Sequence, residues 1–451
     1  KSLSCFEPVE GTYNPEDVKD KTIAIRVLYV TIDPMLRVWI SGAKTYLPAL
    51  VPGSSIPGFA RKKGNRMKTR DSLFATSLRF LPFLFALAFS FSGYTNIGIV
   101  VILLLSFWYF ILNWQIVIRD RWALCVIGFF LAIAAKDGIM LALGKGSFEA
   151  FAKSGSRVVV LAGCSAMLYA HSREDIERAL SVGFSVTFFY LFIIFIFMRF
   201  KILPMIYNAN TFGMVGIWAA ILTGTNKWQN KTKNSKLQAL AILISMFILV
   251  LQDAFFSGSF EGSRTAVFAM IAALCFILLS ETKYAIILAR LELAVVLVFI
   301  FIGSMVFIPQ FNDLLANRQY LWQAFLRKGL EQPLLGWGFT TEAANIHLVS
   351  SYMIDTPFYD SFAKTGLGPH NSFLAMFFEN GVIALAGYIT LLIARIRAIR
   401  VPLTMFDVSL LAYFIFMSLD AMAPGGLTVL GYFLGLCILA VPEKAQKNKD
   451  T

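Results

Sequence analysis

The chain has 451 residues, of which 57% are hydrophobic and 15% charged, and it carries a formal net charge of +13. A soluble domain is nearer half apolar and about a quarter charged, so the composition excludes a soluble fold and implies a bilayer. The basic excess does not point to nucleic acid, because it is concentrated in particular loops, where it acts as a topology signal.

Residues 1–66 differ from the rest. The stretch "TIAIRVLYVTIDPMLRVWISGAKTYLPALVPGSSIPGFA" alternates apolar and polar residues and then turns through proline and glycine, as short strands with loops do. Through Asp33-Pro34, Arg37 and "AKTYLPALVPG" it resembles the opening of medium-chain dehydrogenase/reductases of the zinc-free prostaglandin-reductase type, over about residues 4–60. Nothing after Gly64 reads as the strand, GxGxxG and helix of a dinucleotide site, so no hydride chemistry is expected. The segment is predicted to be a truncated, non-functional piece, with Met67 as the natural start of the functional protein.

From residue 67 onward the chain reads as an all-α polytopic membrane protein. About twelve apolar windows of spanning length have cores at 74–92, 97–112, 122–143, 157–170, 182–199, 208–223, 237–253, 265–280, 285–308, 371–394, 404–420 and 425–442. Lys136 and Asp137 interrupt the third, and the fourth is short. Cys125, Cys164, Cys275 and Cys437 fall within these windows and Cys5 in the amino-terminal tail, forming neither a disulfide framework nor a zinc spacing; they are expected to be small core residues. Loops after even-numbered spans hold Arg119 and Arg121; Arg173 and Arg178; Lys227, Lys231, Lys233 and Lys236; Arg395, Arg397 and Arg400; and Lys444, Lys447 and Lys449. By the positive-inside rule these loops and both termini are cytoplasmic, and one long loop, about 309–370, faces outward.

Chemistry is expected on that outer face. "GPHNSFLAMFFENG" places His370, one of three histidines, directly before the tenth span, with Pro369 and Asn371 as helix-start residues. If the helix extends back to His370, then His370 and Gly381 share one face about 16 Å apart. Gly381 would there admit another helix, and Glu379 and Asn380 would need polar partners or a wet cavity. A plain helix-capping role for His370 is the alternative. Arg264, in "SRTAVFAM", stands at the mouth of the eighth span. Arg318 shares the apolar face of an amphipathic surface helix with Leu314, Leu321, Trp322 and Phe325 and therefore needs an anionic partner, while Arg327 and Lys328 are expected in solvent or among headgroups. Guanidinium groups at a lipid surface suit a lipid-linked pyrophosphate, which they grip bidentately. The outer loops hold no D-x-D motif for Mg²⁺ or Mn²⁺, so a metal-independent site without cofactor is expected.

The order "SRT", "RQYLW", "QPLLGWGF" and "PHNSFLAMFFENGVIA", around a long loop between late spans, resembles the O-antigen ligase and polymerase family of bacterial inner membranes, over most of residues 67–442. His370, Asn371 and Gly381 match the ligase-type pattern of His, a small polar residue, nine residues and Gly. Ala384 departs from the pattern's last position, where Gly, Thr or Tyr is usual. The resemblance implies transfer of a glycan from undecaprenyl pyrophosphate to a sugar hydroxyl at the periplasmic face. The acceptor is lipid A-core for a ligase and a second lipid-linked repeat for a polymerase. On this reading Arg264 and Arg318 neutralise the pyrophosphate, His370 takes the acceptor's proton, direct attack inverts the anomeric centre, and Asn371, Tyr320, Trp322, Trp337 and Gly381 shape the sugar path. A transporter for a lipid-linked glycan is the rival from another class, although no internal repeat relates the two halves. A non-catalytic membrane scaffold is the third reading.

Overall fold

A computed structural model describes residues 95–171, scattered positions between 173 and 197, residues 216–221, 264–315, 317–338, 342–419 and 429–441. The chain divides into two units, Lys1–Thr69 and Arg70–Thr451, and everything described belongs to the second. The dehydrogenase-like segment, the first and seventh predicted spans, most of the fifth and sixth, the lysines of residues 227–236 and the tail lysines lie outside the described residues.

Among the described residues the fold is helical, without strands. Three helices open it: α1 (Thr95–Val117), α2 (Arg121–Ala142) and α3 (Phe148–Ala170). Asp120 caps α2 by accepting hydrogen bonds from the Trp122 and Ala123 amides, and Ser147 caps α3 by accepting from Ala150. Each such cap stabilises by about 1 kcal/mol. The cap on α3 explains why it begins nine residues before the predicted fourth span: its first turns carry Glu149, Lys153 and Arg157 and are invisible to a hydropathy window. Helices α1 and α3 approach so closely that a Cβ on Gly163 would stand 2.4 Å from the Cα of Ser106. Such contact between small residues is how helices associate where lipid removes the hydrophobic drive.

The later helices are α4 (Arg264–Leu279), α5 (Tyr284–Met305), α6 (Pro309–Leu314), α7 (Arg318–Gly329), α8 (Glu342–Val349), α9 (Tyr359–Thr365), α10 (Ser372–Arg397), α11 (Met405–Leu419) and α12 (Val429–Leu439). Among the described residues four segments are long and apolar enough to cross a membrane: Val100–Val117, Arg121–Ala142, Tyr284–Met305 and Ser372–Arg397; α4 and α11 supply shorter apolar stretches. Leu104, Ile287, Leu291 and Ile383 are exposed on these segments, as lipid-facing side chains would be. Cysteine usage is mixed: Cys164 and Cys437 are buried, Cys275 is half-buried and Cys125 is exposed on α2, contrary to a uniform core role.

The segment between α5 and α10 is not a simple loop. Leu315, Leu321, Trp322, Phe325, Val349, Met353 and Phe362 form a second apolar core together with Leu374, Phe377 and Phe378 from the first turns of α10. The single amphipathic helix expected there is two helices. Asn317 takes a left-handed conformation (φ 64°) between α6 and α7, and its carboxamide oxygen accepts from Asn312 Nδ2 at 2.9 Å. Asparagine tolerates that conformation because its short polar side chain can bond locally.

Contacts sort the helix ends into two groups. At one end, Tyr169 of α3 donates to Asp120 before α2. Trp122 of α2 donates to the Ile438 carbonyl of α12 at 3.0 Å, Arg173 donates to Thr404 at 2.8 Å, and the Leu403 amide donates to the Ser280 carbonyl at 2.8 Å. These residues flank the second, fourth, eighth, tenth and twelfth predicted spans, so those helix ends lie together. Arg395 is not a loop residue facing headgroups: it is fully buried, ion-paired to buried Asp407 at 2.7 Å, and donates from Nε to the Cys437 carbonyl at 3.0 Å. A desolvated charge needs such a partner.

Candidate functional site

The opposite end holds the predicted site. Helices α4 and α11 pack together. Since the end of α4 meets the start of α11 at Ser280 and Leu403, the start of α4 lies beside the end of α11. Arg318 opens α7 half-buried and donates from Nη1 to the Thr265 hydroxyl at 3.0 Å, which joins the start of α7 to the start of α4. Asn371 donates from Nδ2 to the Ser418 carbonyl at 3.0 Å, which joins the start of α10 to the end of α11. The first turns of α4, α7 and α10 therefore converge. Arg264 is the first residue of α4, and its side chain lies outside what is described.

His370 stands just outside α10. The cap is Asn371, fully buried, whose Oδ1 accepts from the Phe373 and Leu374 amides at 3.0 and 2.9 Å. His370 itself has φ 46°, a left-handed backbone, and is half-buried. Two expectations are thereby corrected. The helix does not extend back to His370, and the capping role considered for it belongs to Asn371. A non-glycine residue at positive φ is held there by its surroundings, and such strain concentrates at functional sites.

A further correction concerns Gly381. Helix α10 is broken there, with φ 80° and ψ 179°, a combination essentially reserved for glycine. What approaches is not another helix but the backbone of residues 333–338, "PLLGWG". The carbonyls of Phe378 and Glu379 would normally accept from Val382 and Ile383. Instead Trp337 N donates to Phe378 O and Gly338 N to Glu379 O, both at 2.8 Å, while Val382 N donates to Pro333 O at 2.7 Å. The fit leaves no room for side chains: a Cβ on Gly381 would meet Leu334 O at 2.0 Å, and one on Gly336 would meet Asn380 N at 2.5 Å. Leu334 and Leu335 are exposed, as are Val382 and Ile383 beside them. Irregular backbone against lipid is tolerable only when its polar groups are satisfied in this way.

Lys136 completes the junction. From α2 its ammonium donates to Glu379 O and Asn380 Oδ1, both at 2.9 Å, and to Leu335 O at 3.3 Å, with Asp137 paired at 3.1 Å. Of the two residues that seemed to interrupt the third span, Lys136 is thus a partner of the Glu379 carbonyl and the Asn380 side chain in the tenth, and Asp137 is paired with Lys136. Helix α2 runs through them without a break.

The aromatic candidates separate. Trp322 is fully buried, edge-on to Phe299 at 6.0 Å, and a Cβ on Gly303 would collide with it; its burial assigns it to packing instead of a sugar path. Tyr320 is half-buried against Phe307 at 5.0 Å. Trp337 is half-buried and donates from Nε1 to Lys328 O at 2.9 Å, and the Lys328 ammonium lies 4.3 Å from the centre of its ring. Lys328 is consequently not free in solvent as expected, whereas Arg327 is exposed. Lys328 also pairs with Glu331 at 2.6 Å, and Tyr352 donates to the same carboxylate. Hydrogen bonds from Lys328 and Tyr352 hold Glu331 below its ordinary carboxylate range, and the bond to Glu331 raises the Tyr352 phenol.

Residues 254–389 match the family model described as O-antigen ligase. No curated protein matches the chain. The matched region begins before α4 and ends within α10, so it includes Arg264, Arg318, the 333–338 segment, His370, Asn371 and the break at Gly381. Given those residues and the apolar spanning helices around them, this is a membrane protein carrying an O-antigen ligase domain, an enzyme of the ligase or polymerase type.

Proposed function

We propose that the protein transfers a glycan from undecaprenyl pyrophosphate to a sugar hydroxyl of lipid A-core, without metal, and with inversion at the anomeric carbon. The carrying observation is the convergence of the Arg264, Arg318 and His370 helix starts through the Arg318–Thr265 and Asn371–Ser418 bonds. The bond between the anomeric carbon and the pyrophosphate oxygen breaks, and a bond from that carbon to the acceptor oxygen forms. The acceptor's proton passes to His370, and undecaprenyl pyrophosphate leaves with its charge met by Arg264 and Arg318. Imidazole suits the proton step because one ring nitrogen can accept a proton while the other keeps its own. Trp337 and Tyr320 offer partly exposed rings for the sugars, while Asn371, Gly381 and Trp322 act beneath the surface by fixing backbone and packing. The site faces the periplasm of a bacterial inner membrane, with both termini in the cytoplasm, and residues 1–66 take no part.

A polymerase that extends lipid-linked repeats is the second reading, favoured by Ala384 at the last position of the ligase-type pattern. Lipopolysaccharide and lipid-linked glycans from a deletion strain separate the two. A ligase deletion accumulates long polymer on the lipid carrier, and a polymerase deletion leaves single repeats. Unchanged glycans of both kinds would remove either activity.

A further inference from the structure

We infer that Lys136 is a positioning residue for glycan transfer, holding the half-helix that begins just after His370; the inference rests on the base role proposed for that histidine. Because α10 is interrupted at Gly381, residues 372–380 are not continued by hydrogen bonds into 382–397 at Phe378 and Glu379. Their placement depends on what replaces those bonds. The 333–338 backbone replaces two of them, and the Lys136 ammonium ties the Glu379 carbonyl, the Asn380 side chain and the Leu335 carbonyl into one knot. Three N–H groups meet three acceptors on two separate segments, and Asp137, almost wholly buried, balances the charge.

The knot is not an anion site. Every Lys136 donor is committed to an acceptor on the protein, and buried Asp137 pairs with its charge. What the arrangement does is fix geometry. Asn380 lies nine positions after Asn371 along the half-helix, so a tilt at Asn380 displaces His370, and a misplacement of about 1 Å in a reacting group can cost about 10²-fold in rate.

The test is a double-mutant cycle on the purified full-length protein in detergent, with an undecaprenyl-pyrophosphate-linked glycan as donor, after checking the thermal midpoint and monodispersity of each variant. Lys136→Met is expected to lower kcat by about 10- to 100-fold with the donor KM unchanged. Lys136→Arg keeps the charge and should recover part of the loss. Placed in a His370→Ala background, Lys136→Met should slow transfer no further, because the group it positions is gone. A drop of the same factor in both backgrounds, or a wild-type kcat for Lys136→Met, would overturn the positioning role. If His370→Ala itself transfers at the wild-type rate, the base reading falls instead, whatever Lys136 does. Should Lys136→Met not fold, Gly336→Ala opens the same junction from the loop side and must show the same pattern.

Discussion

His370→Ala is expected to slow glycan transfer by about 10²- to 10⁴-fold, the usual worth of positioned acid-base catalysis, while affinity for undecaprenyl pyrophosphate stays near that of the wild type. The structural basis is local. Asn371, not His370, caps α10 and holds Ser418, so removing the imidazole leaves the helix start intact. The arginines should behave in the opposite way. Lysine at 264 or 318 keeps a charge but loses the planar fork that grips phosphate oxygens, so donor binding weakens, and alanine weakens it further. Arg318→Lys also loses the guanidinium bond to Thr265 that joins α7 to α4. Titration of each variant with undecaprenyl pyrophosphate, alongside single-turnover transfer, reads the two effects separately. A wild-type rate for His370→Ala would reject the base role.

Gly381→Ala is expected to cost both stability and activity. The backbone at φ 80° and ψ 179° excludes a side chain, a strain of about 1–3 kcal/mol by itself. The new methyl would also stand 2.0 Å from the Leu334 carbonyl oxygen, which cannot yield without expelling the 333–338 segment. Expulsion leaves the Phe378 carbonyl and the Val382 amide without their partners inside the spanning segment, and the Glu379 carbonyl with Lys136 alone. Each unsatisfied group there costs several kcal/mol. The variant should show a lower thermal midpoint in detergent and little transfer. Gly387→Ala is a useful comparison: it has helical backbone and would press only on the Phe129 ring edge at 2.8 Å, a side chain that can shift. Equal midpoints for Gly381→Ala and the wild type would mean that the break does not constrain the fold.

Helix α2 begins and ends within a residue of the third predicted window despite Lys136 and Asp137, while α4 ends and α11 begins within a residue of theirs. Helix α3 was read too short because its first turns are polar and are set by the Ser147 cap. Between α5 and α10 the apolar faces of short helices were visible at Leu321, Trp322 and Phe325, but their assembly into a core depends on Phe377 and Phe378 about fifty residues later. The break in α10 was not legible from its own sequence, because "FLAMFFENGVIALAGYITLLIARIR" has the hydropathy of one continuous helix. Its signal was distributed: Lys136-Asp137 in one span, Glu379-Asn380-Gly381 in another, and "PLLGWG" in the segment between them. Each looked like a local defect, and only their pairing makes the polar groups affordable in lipid. At the site itself, residue types were readable, whereas the division of labour between His370 and Asn371 depended on one positive φ.

The measurement that tests the central claim most directly is product formation by the purified protein in detergent, with undecaprenyl-pyrophosphate-linked glycan as donor, lipid A-core or a second lipid-linked repeat as acceptor, and a chelator present. A glycosyltransferase of the proposed kind forms a new, inverted glycosidic bond under these conditions and releases undecaprenyl pyrophosphate, with no need for a sealed compartment. Donor movement across sealed vesicles without any new glycosidic bond in detergent would contradict the account and identify a transporter.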